Sequence, residues 1–223
     1  MTESVVRQLM LKDWRLYRGQ TVFSILAGLI GLGIVQFNTE ATVVVGTVFF
    51  FIAIILVGAM LPLSSIVNER KNHNLAFVMS LPVSSIQYTT SKLWSITGIF
   101  LIPWSALVAA GVLMVVLRGF PHGVIPAMLI LALLPWVGLA IITAAGLIGE
   151  SEGWGIAANV LVQSSYGLTW FFISRVPEVM KYNSSPVVVW SPTDLKIMAT
   201  EVAIIPVLLG ITYFVQSRKR DFI

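Results

Sequence analysis

Side chains able to do nucleophilic, acid-base or metal chemistry are sparse in this chain. Cysteine is absent, and His73 and His122 are the two histidines. Without thiols there are no disulfides, no thiolate catalysis and no cysteine metal sites. An intramembrane serine hydrolase needs a serine and a histidine within apolar runs, yet both histidines fall in polar stretches. No His-Glu-x-x-His run offers zinc ligands, and no Gly-x-x-x-x-Gly-Lys run offers a phosphate cradle. His122, in Gly119-Phe-Pro-His-Gly123, reads as a turn residue.

What remains is polarity set inside apolar runs. Asn159, Gln163, Tyr166 and Trp170 recur at i, i+4, i+7 and i+11, which places two amides, a phenol and an indole on one helical face. Such a face meets another helix or lines a cavity. Thr47, Phe51, Ile54 and Gly58 form a second stripe, aromatic and mostly apolar. A route between the two stripes suits an amphipathic or hydrophobic cargo, such as a peptide, lipid-like molecule or drug, better than a small ion. Glu201 stands alone among the carboxylates in lying inside an apolar run, a short way in from its outer end. It can face a cavity, pair with Lys196 or snorkel to the outer headgroups, the last being favoured. Glu150 and Glu152 suit the positive end of the helix that follows them.

The elements that position these residues follow from composition. The chain has 223 residues, of which 57% are hydrophobic and 11% charged, and its mean hydropathy is +0.90. A soluble domain of this size could not hide so much apolar surface in one core. About 20 apolar residues cross a bilayer as a helix. Six runs qualify, at roughly Thr21 to Phe37, Ala41 to Val67, Leu93 to Leu117, Val124 to Gly149, Gly155 to Ser174 and Leu195 to Gln216. Their length and continuity exclude a spanning barrel, so the fold class is an all-α integral membrane bundle.

With the N-terminus inside, the cytoplasmic face collects Arg7, Lys12, Arg15, Arg18, Arg70, Lys71, Lys92, Arg218, Lys219 and Arg220, against Arg118, Arg175, Lys181 and Lys196 outside. Both termini are therefore expected in the cytoplasm. The net charge of +4 reflects this orientation rather than a nucleic-acid partner. The second span is long, with Pro62 near its inner end, so it tilts or kinks there or projects as a helix into the cytoplasm. Residues 1–19 read as an interfacial amphipathic helix. Val5, Val6, Leu9, Met10, Trp14, Leu16 and Tyr17 fall on one half, and Arg7, Gln8, Lys12, Arg15 and Arg18 on the other. Asp13 breaks the pattern by falling in the apolar half. Residues 20–217 then make the six-span bundle and 218–223 a short tail, all in one domain. Residues 175–194 read as a short outer helix, a partly re-entrant cap or a plain loop.

The most informative stretch is Asn68 to Lys92, between the second and third spans. It has a charged start, a short amphipathic helix presenting Leu75, Val78 and Met79, a break at Pro82, and Ser84 or Ser85 capping a helix that runs into the third span. Exposed apolar residues there call for a protein surface to cover them. At Glu69-Arg70, Leu75-Ala76, Ser80-Leu81-Pro82-Val83 and Lys92, the sequence resembles the permease subunits of ABC-2 type ABC transporters. The likeness extends to Lys12-Asp13-Trp14-Arg15, the six spans, the tight turn after span four and the longer segment after span five. One departure is His73-Asn74, where many relatives carry a small pair.

The resemblance implies that Glu69, Arg70, Lys71, Leu75, Val78, Met79 and Ser80 belong to a coupling helix seated in a separate ATPase subunit. It also implies two ATPase copies carrying ATP and Mg, and a second permease copy, making a homodimer or heterodimer in the bacterial inner membrane. Thr47, Phe51, Asn159, Gln163, Tyr166 and Trp170 would then line the cargo route at the dimer seam. The chain itself would have no catalytic residues and bind no cofactor. The alternatives are a non-transporting scaffold or immunity-type binding protein, or a permease of the haem-exporter type.

Overall fold

The computed structural model describes residues 2–71, 84–149 and 151–218. Helix α1 (Thr2–Val35) is followed by α2 (Glu40–Pro62), a π turn (Leu63–Val67) and the one-turn α3 (Asn68–Lys71). Then come α4 (Ser85–Leu117), α5 (Val124–Ile148), α6 (Glu152–Ile173), the short α7 (Pro177–Met180) and α8 (Pro192–Arg218). No strand occurs among the described residues. Six of the helical stretches are long and apolar enough to cross a membrane. The protein is an all-helical, multi-pass membrane protein.

Local chemistry explains the boundaries. Thr39 and Thr42 form a reciprocal capping box that starts α2 after a turn in which Asn38 takes a positive φ of 53°. Ser84 and Gln87 form the same device at α4, so Ser84 rather than Ser85 is the cap. Ser191 and Asp194 exchange two 3.0 Å bonds at the start of α8. Glu152 sits in the first turn of α6 as expected, and Glu150 lies outside the described residues. Past Pro62 the helix widens into the π turn.

Helix α1 differs from expectation. Residues 2–35 run as one helix of about 51 Å, with no separate interfacial helix over 1–19. No proline interrupts it, and Asp13 and Tyr17 are buried against the bundle. Asp13 and Tyr17 thus pack on protein, while Leu11, Trp14 and Leu16 stay exposed. Trp14 on α1, Trp94 on α4 and Trp154 on α6 are exposed.

Packing is densest around α2, α4 and α5, where Ile54, Leu61, Phe100, Leu107 and Leu147 are fully buried. α1 and α2 approach until Gly31 and Gly46 touch backbone to backbone. A Cβ on Gly46 would lie 2.5 Å from Gly31 O, so nothing larger fits there. Lipid tails are as apolar as leucine, so Phe23, Leu26, Leu113 and Phe172 remain exposed without penalty. α8 carries this furthest. Its buried residues are Asp194, Glu201, Thr212 and Gln216, while Val202, Val207, Ile211 and Phe214 face out.

Candidate functional site

Asp13, the residue that broke the amphipathic pattern, lies at the centre of a buried polar cluster. Lys92, from the first turns of α4, is 2% exposed. Its ammonium donates to Asp13 Oδ2 at 3.1 Å, Ser65 Oγ at 2.9 Å and Glu69 Oε1 at 2.9 Å. Those three acceptors match the three protons an ammonium carries. Glu69 also receives Lys12 Nζ at 2.7 Å and the Tyr88 hydroxyl at 3.0 Å. Ser95 Oγ lies 3.0 Å from Asp13 Oδ2. Two lysines thus face two carboxylates, and the four charges sum to zero. Burial on this scale is tolerable only because each charge is paired and its remaining lone pairs are met.

The cluster joins α1, the π turn, α3 and α4 at one end of the bundle. The next residue, Arg70, turns the other way and donates to the carbonyls of Gly149 and, at 3.4 Å, Leu147, at the C-terminal end of α5. Cations suit that end of a helix, where carbonyls lack partners. Gln216 of α8 also donates to Leu147 O. Glu69 and Arg70 are therefore two adjacent anchors, one gripping α1 and α4 and the other gripping α5. The flanks of segment 72–83 are fixed to most of the bundle through them.

This placement bears on the residues expected to couple to a partner. Glu69 and Arg70 turn inward, and Lys71 is exposed at the end of α3. Leu75, Val78, Met79 and Ser80 lie outside the described residues. Sequence reading took Lys92 as an inner-side cation and part of a family motif, and Asp13 as an irregularity in an amphipathic helix and part of the same likeness. It did not single out Ser65, Tyr88 or Ser95. The available signal was a lone carboxylate on an apolar face, which in a bundle of this kind demands a cation.

The expected cargo residues separate into two groups. Thr47 and Phe51 of α2 and Trp170 of α6 line one chamber of about 280 Å³ near the far end of the bundle, together with Phe50, Met114 and Asn183. Asn159, Gln163 and Tyr166 do not line it. All three are half-buried on the inward face of α6. Gln163 Nε2 meets Asn159 Oδ1 at 3.4 Å, and the Tyr166 phenol fills the space above Gly138 of α5. A Cβ at Gly138 would overlap that hydroxyl, so Tyr166 makes a contact between α6 and α5, while Asn159 and Gln163 bond to each other along α6. Ile54 and Gly58, lower on the α2 stripe, are buried in the core.

Glu201 is buried rather than snorkelling outward, and it forms no ion pair with the exposed Lys196. Its Oε2 has no hydrogen-bond partner among the described residues. The segment after α6 contains a short helix, α7, whose Val179 packs on Ala127, Ile130 and Ile173 beside the N-terminal end of α5. His122 sits in a turn, with its carbonyl accepting from Ile125 N at 3.1 Å. No group of three or more histidine, aspartate or glutamate side chains that could hold a metal occurs among the described residues. Comparisons with protein-family models, curated proteins and solved structures find no match for the chain.

Proposed function

We propose that this chain is the membrane-spanning subunit of an ATP-driven exporter of the ABC-2 type, working with a separate ATPase. The observation that carries the reading is the double anchorage at Glu69 and Arg70. A segment that receives force from a soluble partner must be stiffly joined to the helices it moves. Residue 71 alone separates segment 72–83 from two charged anchors, the buried Glu69 and the half-buried Arg70, and the segment ends shortly before the α4 turns that carry Tyr88 and Lys92. A push on the segment is delivered to α1, α2, α4 and α5 together.

In this reading Lys71, Leu75, Val78, Met79 and Ser80 contact the ATPase, while Glu69 and Arg70 transmit. ATP and Mg belong to the partner. Two copies of the chain, or this chain and a related one, enclose the route, with both termini in the cytoplasm of a bacterium. Cargo of amphipathic or hydrophobic character passes along the faces that carry Thr47, Phe51 and Trp170 on one side and Asn159, Gln163 and Tyr166 on the other.

The test is co-purification with candidate ABC ATPases in nanodiscs, reading ATP turnover. Leu75→Asp with Met79→Asp, which leaves the anchors intact, is expected to lower stimulated turnover at least tenfold by placing charges in an apolar contact. Wild-type protein that associates with no ATPase overturns the reading and favours a membrane binding protein.

A further inference from the structure

Helix α8 joins the bundle without fully burying a single apolar side chain, its buried residues being Asp194, Glu201, Thr212 and Gln216. A helix seated this way parts from its neighbours with little loss of apolar contact. Glu201 lies in that seam, 7% exposed, and its Oε2 has no hydrogen-bond partner among the described residues. The elements that α8 packs on, chiefly α5 and α4 with α7 at one end, bring no cation to it. α5 carries no ionisable side chain. α4 carries Tyr88 and Lys92, both in its first turns and both bonded to Glu69, and α7 adds a further carboxylate, Glu178. Lys196 is exposed, while Arg175 and Lys181 lie over the rings of Phe171 and Tyr182.

The position of Glu201 ties it to the apolar chamber. Ile197 and Met198, one helical turn before it on the same face, pack with Trp170 around the cluster of Ala127, Ile130, Ile173 and Val179. Trp170 and Ala127 also line the chamber of about 280 Å³. An apolar chamber and an unanswered carboxylate are thus joined through one packed cluster. Ionisable residues inside a membrane pair with one another or mark a pathway, and Glu201 has no pair among the described residues. The chemistry that satisfies it is a cationic N–H donor carried on an apolar body, because a charge-assisted hydrogen bond to a carboxylate gains strength in a water-poor seam.

We propose that Glu201 is the recognition site for the cationic group of an amphipathic amine or guanidine, admitted as α8 parts from α5. As a statement about cargo this rests on the export reading, whose amphipathic cargo it narrows to a cation.

The test is native mass spectrometry of the full chain, without any ATPase, released from phosphatidylcholine nanodiscs loaded with dodecylamine and dodecanol. The two probes share an apolar chain and differ in charge. After correction for partition into empty nanodiscs, wild-type protein is expected to retain the amine at least tenfold over the alcohol, the effect of one hydrogen bond between charged groups. Glu201→Gln keeps nearly the same volume, brings the ratio close to one and leaves alcohol retention unchanged. Glu201→Met serves in its place if the amide variant fails to fold, as judged by circular dichroism and elution volume. Equal retention of the two probes by wild type, or an unchanged preference in either folded variant, overturns the proposal. Amine preference in a chain that associates with no ATPase upholds the site and sinks the export reading alone. Turnover with an ATPase but no amine preference sinks the site alone.

Discussion

At the end of the bundle where α1 begins, Asp13 and Glu69 are each met by a lysine and by hydroxyl groups from a second helix. On α8, Glu201 is buried to the same degree as Glu69 and meets no cation among the described residues. The two regions differ in more than charge. The first joins helices whose apolar faces interlock, whereas α8 touches the bundle along a polar stripe and offers its apolar side to lipid. A fully paired cluster can fix the relative positions of three helices. An unpaired carboxylate fixes nothing, and it persists only if stability is not its purpose or if its charge is absent in the folded state.

Lys92→Met breaks this contrast most severely. It leaves two buried carboxylates sharing Lys12, an expected loss of about 3–5 kcal/mol. Thermal unfolding in detergent checks this, and the midpoint should fall by roughly 10 °C. If the midpoint stays put, the cluster is solvated and does not anchor the helices. Combining Lys92→Met with Asp13→Leu sharpens the case. One charge of each sign is gone and the Lys12 and Glu69 pair survives, so the double variant should recover about half of the loss. Additive losses would mean that the two residues do not interact.

Tyr88→Phe is a smaller step. It removes one hydrogen bond to a charged acceptor and should cost about 1.5–3 kcal/mol, visible in the same unfolding assay. Glu201→Gln ranks last. With no cation to lose, the amide should leave stability within about 1 kcal/mol of wild type or raise it. A loss as large as that of Lys92→Met would show that Glu201 has a charged partner after all.

Much of the outline was legible in advance. Ser84 announces the start of α4. The cluster was less legible because its members are remote in sequence. Lys92 lies 79 residues from Asp13 and 23 from Glu69. Each has an ordinary local explanation, Lys92 as a basic residue at a span's inner end and Asp13 as an irregularity in an amphipathic helix. The continuity of α1 was missed for a related reason. An amphipathic segment that could lie on a membrane can equally continue a span, and the choice depends on whether protein or lipid covers its apolar half.

The cargo stripes show the same limit from the other side. Four residues of α6 share a face, as their spacing requires, yet Trp170 reaches the chamber with Thr47 and Phe51 while Tyr166 is spent on Gly138. Spacing assigns residues to a face of a helix. It does not say what that face meets at each level.

The sequence by itself determined that this is a six-helix membrane protein, because lipid offers no partner to a peptide group and every long apolar run must close its own hydrogen bonds. Hydropathy could not decide which face of each helix turns inward, since lipid and protein interior are equally apolar. Only the tertiary structure brought Asp13 to Lys92, turned Glu69 and Arg70 in opposite directions and left Glu201 alone, because pairing of buried charge depends on distances between helices that no local pattern encodes.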